Sequence, residues 1–233
     1  MTVLTKIGHY QDDKGNVILS SSTFNSGIKV VFKGNNNKLE IHREAVPSNV
    51  VVLFDCDNGT CIIGKNHFSG TIRVGLDCNV KIGAGVTCTS PAYISTAERS
   101  SVSIGNDVMI AGAVEIRSDD GHPIFDVVSR KRINFPKDIV VKNHVWLGAS
   151  SKILGGTVLK EGCVVGIGSI VKGRFPNNCV VAGVPAKVVR RNIAWERPHL
   201  TLAPPFYKED PDAIPLTPYW NLTVDDDPES DAG

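Results

Sequence analysis

The chain has 233 residues and a formal net charge of +1, and 42% of its residues are hydrophobic but only 6% are aromatic. This length fits one domain, or one domain with appendages. With a net charge this close to zero, the whole protein has no positive electrostatic potential that would favour nucleic-acid binding. Any anion binding must therefore come from local basic clusters. No apolar stretch is long enough to span a bilayer, and the first residues do not form a signal peptide. We therefore expect a cytoplasmic protein without a membrane span.

Residues 1–60 contain short apolar runs separated by turn-forming segments. The runs at 28–32, 39–41 and 50–54 predict strands. The asparagines at 35–37 tolerate the left-handed geometry of a turn. We interpret this region as irregular N-terminal coils that cap the more regular structure after it, because the end of a solenoid must be covered.

From residue 61 onward, aliphatic residues recur six positions apart. The members of the first two series are Ile82, Cys88 and Ile94, and then Ile104, Ile110 and Ile116. The steps from Val74 to Ile82 and from Ile94 to Ile104 are too long for one hexad. These longer steps predict insertions at the corners of a coil.

The stretch from 141 to 171 carries this period through five consecutive hexads. The first position is aliphatic in Val141, Leu147, Ile153, Leu159, Val165 and Val171, and the fifth is small or β-branched in Val145, Ser151, Thr157, Cys163 and Ser169. Neither strand alternation nor a 3.6-residue helical period produces this spacing. Three such units make one triangular coil, and coils stack about 4.8 Å apart by parallel pairing. We predict an all-β parallel β-helix over residues 61–173.

The repeat stops after Ile116 and resumes at Ile139. A solenoid tolerates an insertion only at a corner, where the core stays intact. A loop this long inside a compact domain is usually functional or disordered. We therefore assign residues 117–138 as an active-site loop.

Residues 174–233 depart from the repeat. The stretch 185–193 predicts a short helix with Pro185 near its first turn. After Trp195 the proline and aromatic content rises. This shift predicts an extended tail laid over the body rather than a second domain.

The cysteines fit the interior of such a coil. Cys78 and Cys163 occupy fifth positions and Cys88 a first position, where a thiol serves as a small buried hydrophobe. Cys56 and Cys61 lack a second pair at zinc-ligand spacing. We expect no metal site and, in a reducing compartment, no disulfide.

Three phrases combine with the hexads: GHPIFD at 121–126, HVWLG at 144–148 and AGVPAK at 182–187. Together they resemble the hexapeptide-repeat acyltransferases over roughly residues 60–192. The resemblance implies a left-handed coil, although parallel crossovers are usually right-handed. It is strongest to O-acetyltransferases of sugars, including those of capsular polysaccharide and sialic acid chemistry. It further implies acetyl-CoA as acetyl donor, a sugar or polysaccharide acceptor, and a homotrimer with sites between subunits.

The resemblance assigns the general base to His122. A hydroxyl is a poor nucleophile at neutral pH and needs a base to take its proton. An ordinary imidazole has a pKa of about 6.5, close to neutral pH, which suits it to this role. The alternative is a histidine that only shapes the loop. Asp119, Asp120 and Asp126 could orient the imidazole, bind acceptor hydroxyls or form a solvated turn. His144 occupies an outward hexad position and is expected at the surface.

The resemblance places Trp146 beside the thioester, with a subunit contact as the alternative or additional role. The candidate oxyanion donor is the Gly148 N–H, because preorganised N–H groups stabilise a tetrahedral intermediate. Corners of small residues would let a pantetheine arm approach the backbone, although these residues could also simply turn corners. The corner residues are Gly148, Ala149, Gly166, Ile167 and Gly168.

Cations after the last hexad are expected to meet the phosphates of the donor. These candidates are Lys172, Arg174, Lys187, Arg190 and Arg191, with Pro185 closing the groove. The alternative is a solubilising surface. Candidates for the acceptor side are Arg117, Asp119, Asp120, Arg130 and Arg132.

We therefore predict an acetyl-CoA-dependent O-acetyltransferase that acts on a capsular or cell-surface polysaccharide, with a sialic-acid-containing polymer as the first acceptor to test. Two alternatives stay open. One is an N-acetyltransferase of a nucleotide-linked amino sugar, and the other is a non-catalytic β-helix that binds or scaffolds.

Overall fold

The computed structural model describes residues 1–199 and 214–225, and all regular structure in these ranges is β. The strands are β1 (Thr2–Leu4), β2 (Tyr10–Gln11), β3 (Val17–Leu19), β4 (Ile28–Phe32), β5 (Lys38–Ile41), β6 (Val50–Phe54), β7 (Thr60–Ile63), β8 (Gly70–Val74), β9 (Asn79–Ile82), β10 (Thr87–Cys88), β11 (Ala92–Ser95), β12 (Ser101–Ile104), β13 (Met109–Ile110), β14 (Glu115–Arg117), β15 (Ile139–Val141), β16 (Trp146–Leu147), β17 (Lys152–Leu154), β18 (Val158–Leu159), β19 (Val164–Val165), β20 (Ile170–Val171), β21 (Arg174–Phe175), β22 (Cys179–Gly183) and β23 (Ala186–Arg191). Within this described part, no helix is long and apolar enough to cross a bilayer.

The strands form three sheets that the chain visits in turn. Sheet 1 has the order β1-β4-β6-β8-β11-β14-β17-β20, sheet 2 the order β2-β3-β5-β7-β9-β12-β15-β18-β21, and sheet 3 the order β10-β13-β16-β19-β22-β23. Pairing between successive coils is parallel, as in β14 with β17 and β15 with β18. The result is an all-β parallel solenoid, as predicted, and it has about seven turns.

The hexad positions face the interior as predicted. All first- and fifth-position residues between 141 and 171 are at most 1% exposed. Two of the small polar residues among them bond to backbone groups, whereas the buried hydroxyl of Ser151 has no partner among the described residues. Thr157 Oγ1 donates to Leu154 O (2.7 Å) and to Val171 O (3.0 Å), and Ser169 Oγ accepts from Gly183 N (3.1 Å). At Thr157 and Ser169, backbone groups of the solenoid thus satisfy the buried hydroxyl.

The coils change size along the axis. In the N-terminal part Lys38 pairs with Thr60, and Asn35 bonds Asp57 22 residues away. After the loop, Val140 pairs with Val158, three hexads later. Larger side chains fill the wider early coils, where the Phe32 and Phe54 rings stack 5.0 Å apart. The long steps seen in the sequence therefore correspond to longer coils, and one hydrophobic core runs from Ile7 to Ala186 across the boundary at residue 60.

Both ends of the solenoid close with antiparallel pairs. β1 pairs antiparallel with β4, and β2 with β3, at the N-terminal end. At the other end β23 folds back antiparallel on β22. An exposed sheet edge would present unpaired N–H and C=O groups, so these pairs cap the stack.

The predicted helix over 185–193 is wrong, because Ala186–Arg191 forms β23. Gly183 adopts φ +104° and reverses the chain, which brings this segment onto the free edge of β22. The adjacent Val188 and Val189 are β-branched, which favours a strand over a helix. The unpaired edge of the last coil thus decides the structure of this segment.

The three sheets form the sides of a three-sided prism. Its three corners differ in the residues that form them. The loop corner, from sheet 1 to sheet 2, comprises residues 118–138, 155–157 and 172–173. The tail corner, from sheet 2 to sheet 3, comprises 83–86, 105–108, 142–145, 160–163 and 176–178. The glycine corner, from sheet 3 back to sheet 1, comprises 111–114, 148–151 and 166–169.

A column of left-handed residues builds the tail corner. Its members with positive φ are Gly85, Asp107, His144, Gly162 and Asn178. Each donates its N–H to a carbonyl of the coil before it, as His144 N does to Asn106 O at 2.9 Å. Glycine, asparagine and aspartate tolerate this conformation, and histidine adopts it more often than most side chains do.

The described part of the chain after β23 runs along this tail corner. Ile193 N donates to Asn178 O (3.1 Å), Trp195 Nε1 to His144 O (3.1 Å) and Arg197 Nη2 to Gly85 O (3.0 Å). The expectation that His144 lies at the surface is wrong, since it is 1% exposed. Its side chain points away from the coil, but the tail covers it. The tail segments 200–213 and 226–233 lie outside the described residues.

Cys78 and Cys163 occupy the interior as predicted, Cys88 is half-buried, and Cys56 is exposed; all six cysteines are free thiols. Cys61, Cys78 and Cys163 are fully buried. Burial raises the pKa of the Cys61 thiol to about 12 and that of the half-buried Cys88 to about 11. Protonated thiols of this kind act as apolar core groups.

The inward and outward positions of one strand can be compared directly. Ile153→Ala should lower the free energy of unfolding by about 2–5 kcal/mol, because it leaves a cavity at a fully buried site. Lys152→Ala on the same strand removes only a half-exposed ion pair with Glu115, so a loss below about 1 kcal/mol is expected. Denaturant titration of both variants measures the difference. Equal losses would show that Ile153 does not face the core.

Candidate active site

His122 lies at the exposed end of the loop. The loop closes at its base, where Lys137 N donates to Ser118 O (3.2 Å). Farther out it is a short antiparallel arm, in which Ile133 N donates to Ile124 O (2.9 Å). The ring nitrogens of His122 make no hydrogen bond to the residues that the structure describes. The imidazole is therefore available to a ligand.

Asn134, which the sequence analysis missed, holds the backbone that carries His122. Its Nδ2 donates to His122 O (2.8 Å) and to Asp120 Oδ2 (3.0 Å), and its Oδ1 accepts from Ile124 N (2.7 Å). One amide side chain thus ties both sides of the turn at His122–Ile124. In the sequence, Asn134 stands out only as a polar residue between two apolar ones. This signal is too weak to identify its role.

None of the three flanking aspartates is hydrogen-bonded to the His122 ring. Asp119 accepts from Gly121 N (2.9 Å) and from Ser95 Oγ (3.2 Å). Asp126 accepts from the backbone N and the hydroxyl of Ser129, both at 2.7 Å, and these bonds hold its pKa below the usual range. Asp119 and Asp126 therefore shape the loop, and Asp120 bonds Asn134. The option of an aspartate that orients the imidazole finds no support in this arrangement.

The loop arginines differ in what they contact. Arg132 Nη1 pairs with Glu98 Oε2 at 2.6 Å, and its guanidinium lies 5.0 Å from the Phe135 ring centroid. This residue anchors the loop to the body. Arg117 lies 5.4 Å over the ring of Tyr93. Arg130 is exposed on the arm, with φ 57°.

A small cavity of about 150 Å³ lies under the loop. Asp119, Asp120, Lys137 and Lys172 contribute charged groups to its lining, and Leu154 contributes an apolar one. Lys172, expected among the phosphate-binding cations, thus lies at the loop corner beside two acceptor-side candidates.

The glycine corner brings together the residues expected to meet the pantetheine arm. A Cβ at Gly148 would lie 2.4 Å from Val165 O, and one at Gly166 would lie 3.0 Å from Ala182 Cβ. Around Gly168, with φ +68°, the space is open. Three apolar side chains stay exposed along this side of successive coils: Trp146 (38%), Ile167 (79%) and Val184 (67%).

The assignment of Gly148 N–H as oxyanion donor conflicts with the coil geometry. This N–H donates to Val165 O at 2.9 Å, as the parallel ladder requires. The next residue, Ala149, uses its carbonyl to accept from Gly168 N (2.8 Å), while its N–H has no partner among residues 1–199 and 214–225. In this coil, the N–H that the ladder leaves without a partner is therefore one residue after Gly148.

The predicted cation cluster divides into two groups. Lys172 and Arg174 flank the loop corner at the start of β21, whereas Lys187, Arg190 and Arg191 lie on β23 at the end of sheet 3. Arg191 pairs with Asp225 of the tail at 2.8 Å. Pro185 lies in the exposed turn between β22 and β23, beside the glycine corner.

The two halves of the candidate site lie at different places on one chain. The loop with His122 leaves the prism between sheets 1 and 2, while Trp146 lies on sheet 3 and Gly148 and Ala149 follow it. In a three-sided prism, the corner between sheets 1 and 2 is opposite sheet 3. One chain therefore separates the imidazole from the tryptophan.

No family model matches the chain, but individual proteins do. The polysialic acid O-acetyltransferase of Neisseria meningitidis is 36% identical over 168 residues, which cover 72% of this chain and 75% of that protein. The polysialic acid O-acetyltransferase of Escherichia coli O1:K1 / APEC is 42% identical over 136 residues, or 58% of this chain. That match spans only 44% of the E. coli protein.

Solved structures agree with these relatives. The crystal structure of the polySia-specific acetyltransferase NeuO superposes with a TM-score of 0.74 at 40% identity, over 79% of this chain and 86% of that chain. The polysialic acid O-acetyltransferase OatWY superposes with a TM-score of 0.53 at 34% identity, over 80% and 84%. The chain thus belongs to the hexapeptide-repeat acetyltransferases, in the family of the polysialic acid O-acetyltransferases.

Proposed function

We propose that this protein transfers an acetyl group from acetyl-CoA to a hydroxyl of a capsular or cell-surface polysaccharide that contains sialic acid. The observation that carries the proposal is the relationship to polysialic acid O-acetyltransferases over most of both chains. A cytoplasmic location and a left-handed coil belong to the same proposal. Six free thiols accord with a reducing compartment.

The chemistry of the glycine corner fits the acetyl donor. Backbone lies open there at Gly168, where the space a Cβ would occupy is empty, so an extended amide-containing arm can approach it. Ile167 and Val184 supply exposed apolar surface on successive coils. Lys187 and Arg190 are exposed on β23 just beyond, where the phosphates of the donor would need cations.

The proposed reaction is a direct transfer. His122 removes the proton from the acceptor hydroxyl as the oxygen attacks the thioester carbonyl. The Ala149 N–H donates to the oxygen that becomes negative, in place of Gly148. The C–S bond then breaks, and the imidazolium returns its proton to the departing thiolate. Trp146 walls the thioester off from water, and Asn134 holds the turn that presents the imidazole.

A homotrimer would join the two halves of the site. If neighbouring copies place the loop corner of one against the glycine corner of the next, a threefold arrangement completes three equal sites. The loop supports such a contact, because Phe125, Val127 and Val128 are 56%, 88% and 90% exposed on the isolated chain. Apolar side chains grouped in this way usually mark an interaction surface.

The role of His122 can be tested by substitution. His122→Ala should lower turnover at least 10²-fold, because it removes the group proposed to take the proton of the acceptor hydroxyl. Its thermal shift with coenzyme A should match that of the wild type, since the ring does not build the donor groove. His9→Ala, at an exposed position in the N-terminal coils, is the matched control and should remain fully active. Near-normal turnover of His122→Ala would remove His122 as the base.

A site shared between subunits predicts complementation. His122→Ala and Trp146→Ala should each be nearly inactive, yet co-assembled one to one they should recover about a quarter of wild-type activity, because random trimers pair an intact loop with an intact groove at that frequency. Mixing His122→Ala with the double variant is the control, since no site can then be whole. Absence of recovery in trimers verified to be mixed would place both residues of each site on one chain.

The bond formed in the product separates oxygen from nitrogen transfer. We expect acetylated polysialic acid to release its acetyl group in mild alkali, because an ester hydrolyses there and an amide does not. The measurement is mass spectrometry of the oligosaccharide before and after treatment. An alkali-stable acetyl group would assign amine acetylation instead. If acetyl-CoA produced no thermal shift, the protein would be a binding solenoid.

A further inference from the structure

Trp146 has one aromatic neighbour in the described part of the chain. Its ring lies 5.9 Å from that of Trp195, tilted by 47°. This centroid separation falls within the favourable range for aromatic pairs. Trp146 sits on a two-residue strand and is 38% exposed, so the contact from the tail is a main restraint on its outer face.

Trp195 is itself held firmly. It is 8% exposed, its Nε1–H donates to His144 O (3.1 Å), and its ring stacks on that of His144 at 4.1 Å and 13°. Its carbonyl oxygen accepts from His144 Nε2 at 2.9 Å. Three contacts to one residue of the coil fix the position of this indole.

His144 and the residues around it hold Trp195 against the coils. His144 Nδ1 is hydrogen-bonded to Asp107 Oδ2 (2.6 Å), and Tyr219 stacks on its other face at 4.5 Å and 5°. Hydrogen bonds at both nitrogens and aromatic rings on both faces thus fix the His144 ring. Arg197 binds the other oxygen of Asp107 at 2.5 Å and donates to Thr87 Oγ1 at 2.9 Å.

We propose that Trp195 is a positioning residue for acetyl transfer, which sets the ring of Trp146 against the donor thioester through the 5.9 Å contact. The His144 cluster fixes Trp195, and Trp195 passes this restraint to Trp146. The tail thereby becomes part of the active-site support rather than a cover for the coil. This inference rests on the proposed function, because it takes Trp146 as the residue beside the thioester.

A purely stabilising tail would behave differently. In that case, removing the Trp195 ring would lower the melting temperature but leave the kinetics unchanged at temperatures where the protein is folded. A positioning residue instead changes the kinetic constants of the folded enzyme, because a small displacement of an active-site group slows the reaction. Trp220 provides a matched control. It is a second tail tryptophan, 51% exposed, whose Nε1 donates to Glu196 Oε1 at 2.9 Å.

The experiment compares steady-state kinetics of full-length variants with acetyl-CoA and oligosialic acid. Trp195→Leu should lower kcat/KM for acetyl-CoA about tenfold, whereas Trp195→Phe, which keeps an aromatic ring against Trp146, should stay within about twofold of the wild type. Trp220→Leu should match the wild type. If Trp195→Leu does not fold, Trp195→Met keeps a long apolar side chain at the site and carries the same expectation.

A spectroscopic readout keeps the inference separate from the proposed function. The chain has three tryptophans, so Trp195→Phe/Trp220→Phe and Trp195→Leu/Trp220→Phe each leave Trp146 as the only one. The fluorescence anisotropy of Trp146 should be lower with leucine at 195 than with phenylalanine, whether or not any acceptor is acetylated. Equal anisotropy, or unchanged kinetics of Trp195→Leu while Trp146→Ala is impaired, would overturn the inference alone. A wild type without acetyl transfer to any acceptor would overturn the proposed function instead.

Discussion

Backbone pairing between consecutive coils is the constraint on which this structure depends. Each short strand must place its N–H and C=O groups opposite those of the coil above and below, while one aliphatic side chain per hexad fills the interior. Side-chain identity is therefore restricted inside, and backbone conformation is restricted at the corners. What remains free is the length of each corner and the chemistry of the side chains that leave it. All candidate functional groups of this protein accordingly lie at corners or on the outer faces.

The interior could be predicted from the sequence because its constraint is local and repeats. Val141, Leu147 and Ile153 recur at a spacing that only a three-sided coil explains, and each is fully buried. The helix predicted over 185–193 was wrong for the opposite reason. There the local signals were weak, and the outcome depended on an unpaired strand edge created by a different segment. Edge pairing is a property of the assembled stack, which no window of sequence contains.

His144 illustrates the same limit at a corner. Its hexad position places the side chain outside the coil, and this part of the expectation agrees with the structure. Its burial comes from Trp195 and Tyr219, which follow much later in the chain. Composition indicated a tail over the body but not which column of corner residues it would follow. The left-handed column at the tail corner supplies the reason, since it turns His144 outward to meet aromatic rings.

The candidate site shows how a repeat restricts catalytic groups. At the glycine corner the ladder uses the Gly148 N–H, so a donor for the oxyanion must come from a residue that the ladder leaves unpaired, and Ala149 is such a residue. The same regularity separates the loop from the glycine corner, because an insertion emerges only at the corner where it interrupts the repeat. A coil cannot bend to bring two of its corners together. In the proposed homotrimer a second copy supplies the missing half, and threefold symmetry gives every copy the same site. The rigidity that makes the fold predictable therefore also favours a site assembled from more than one chain.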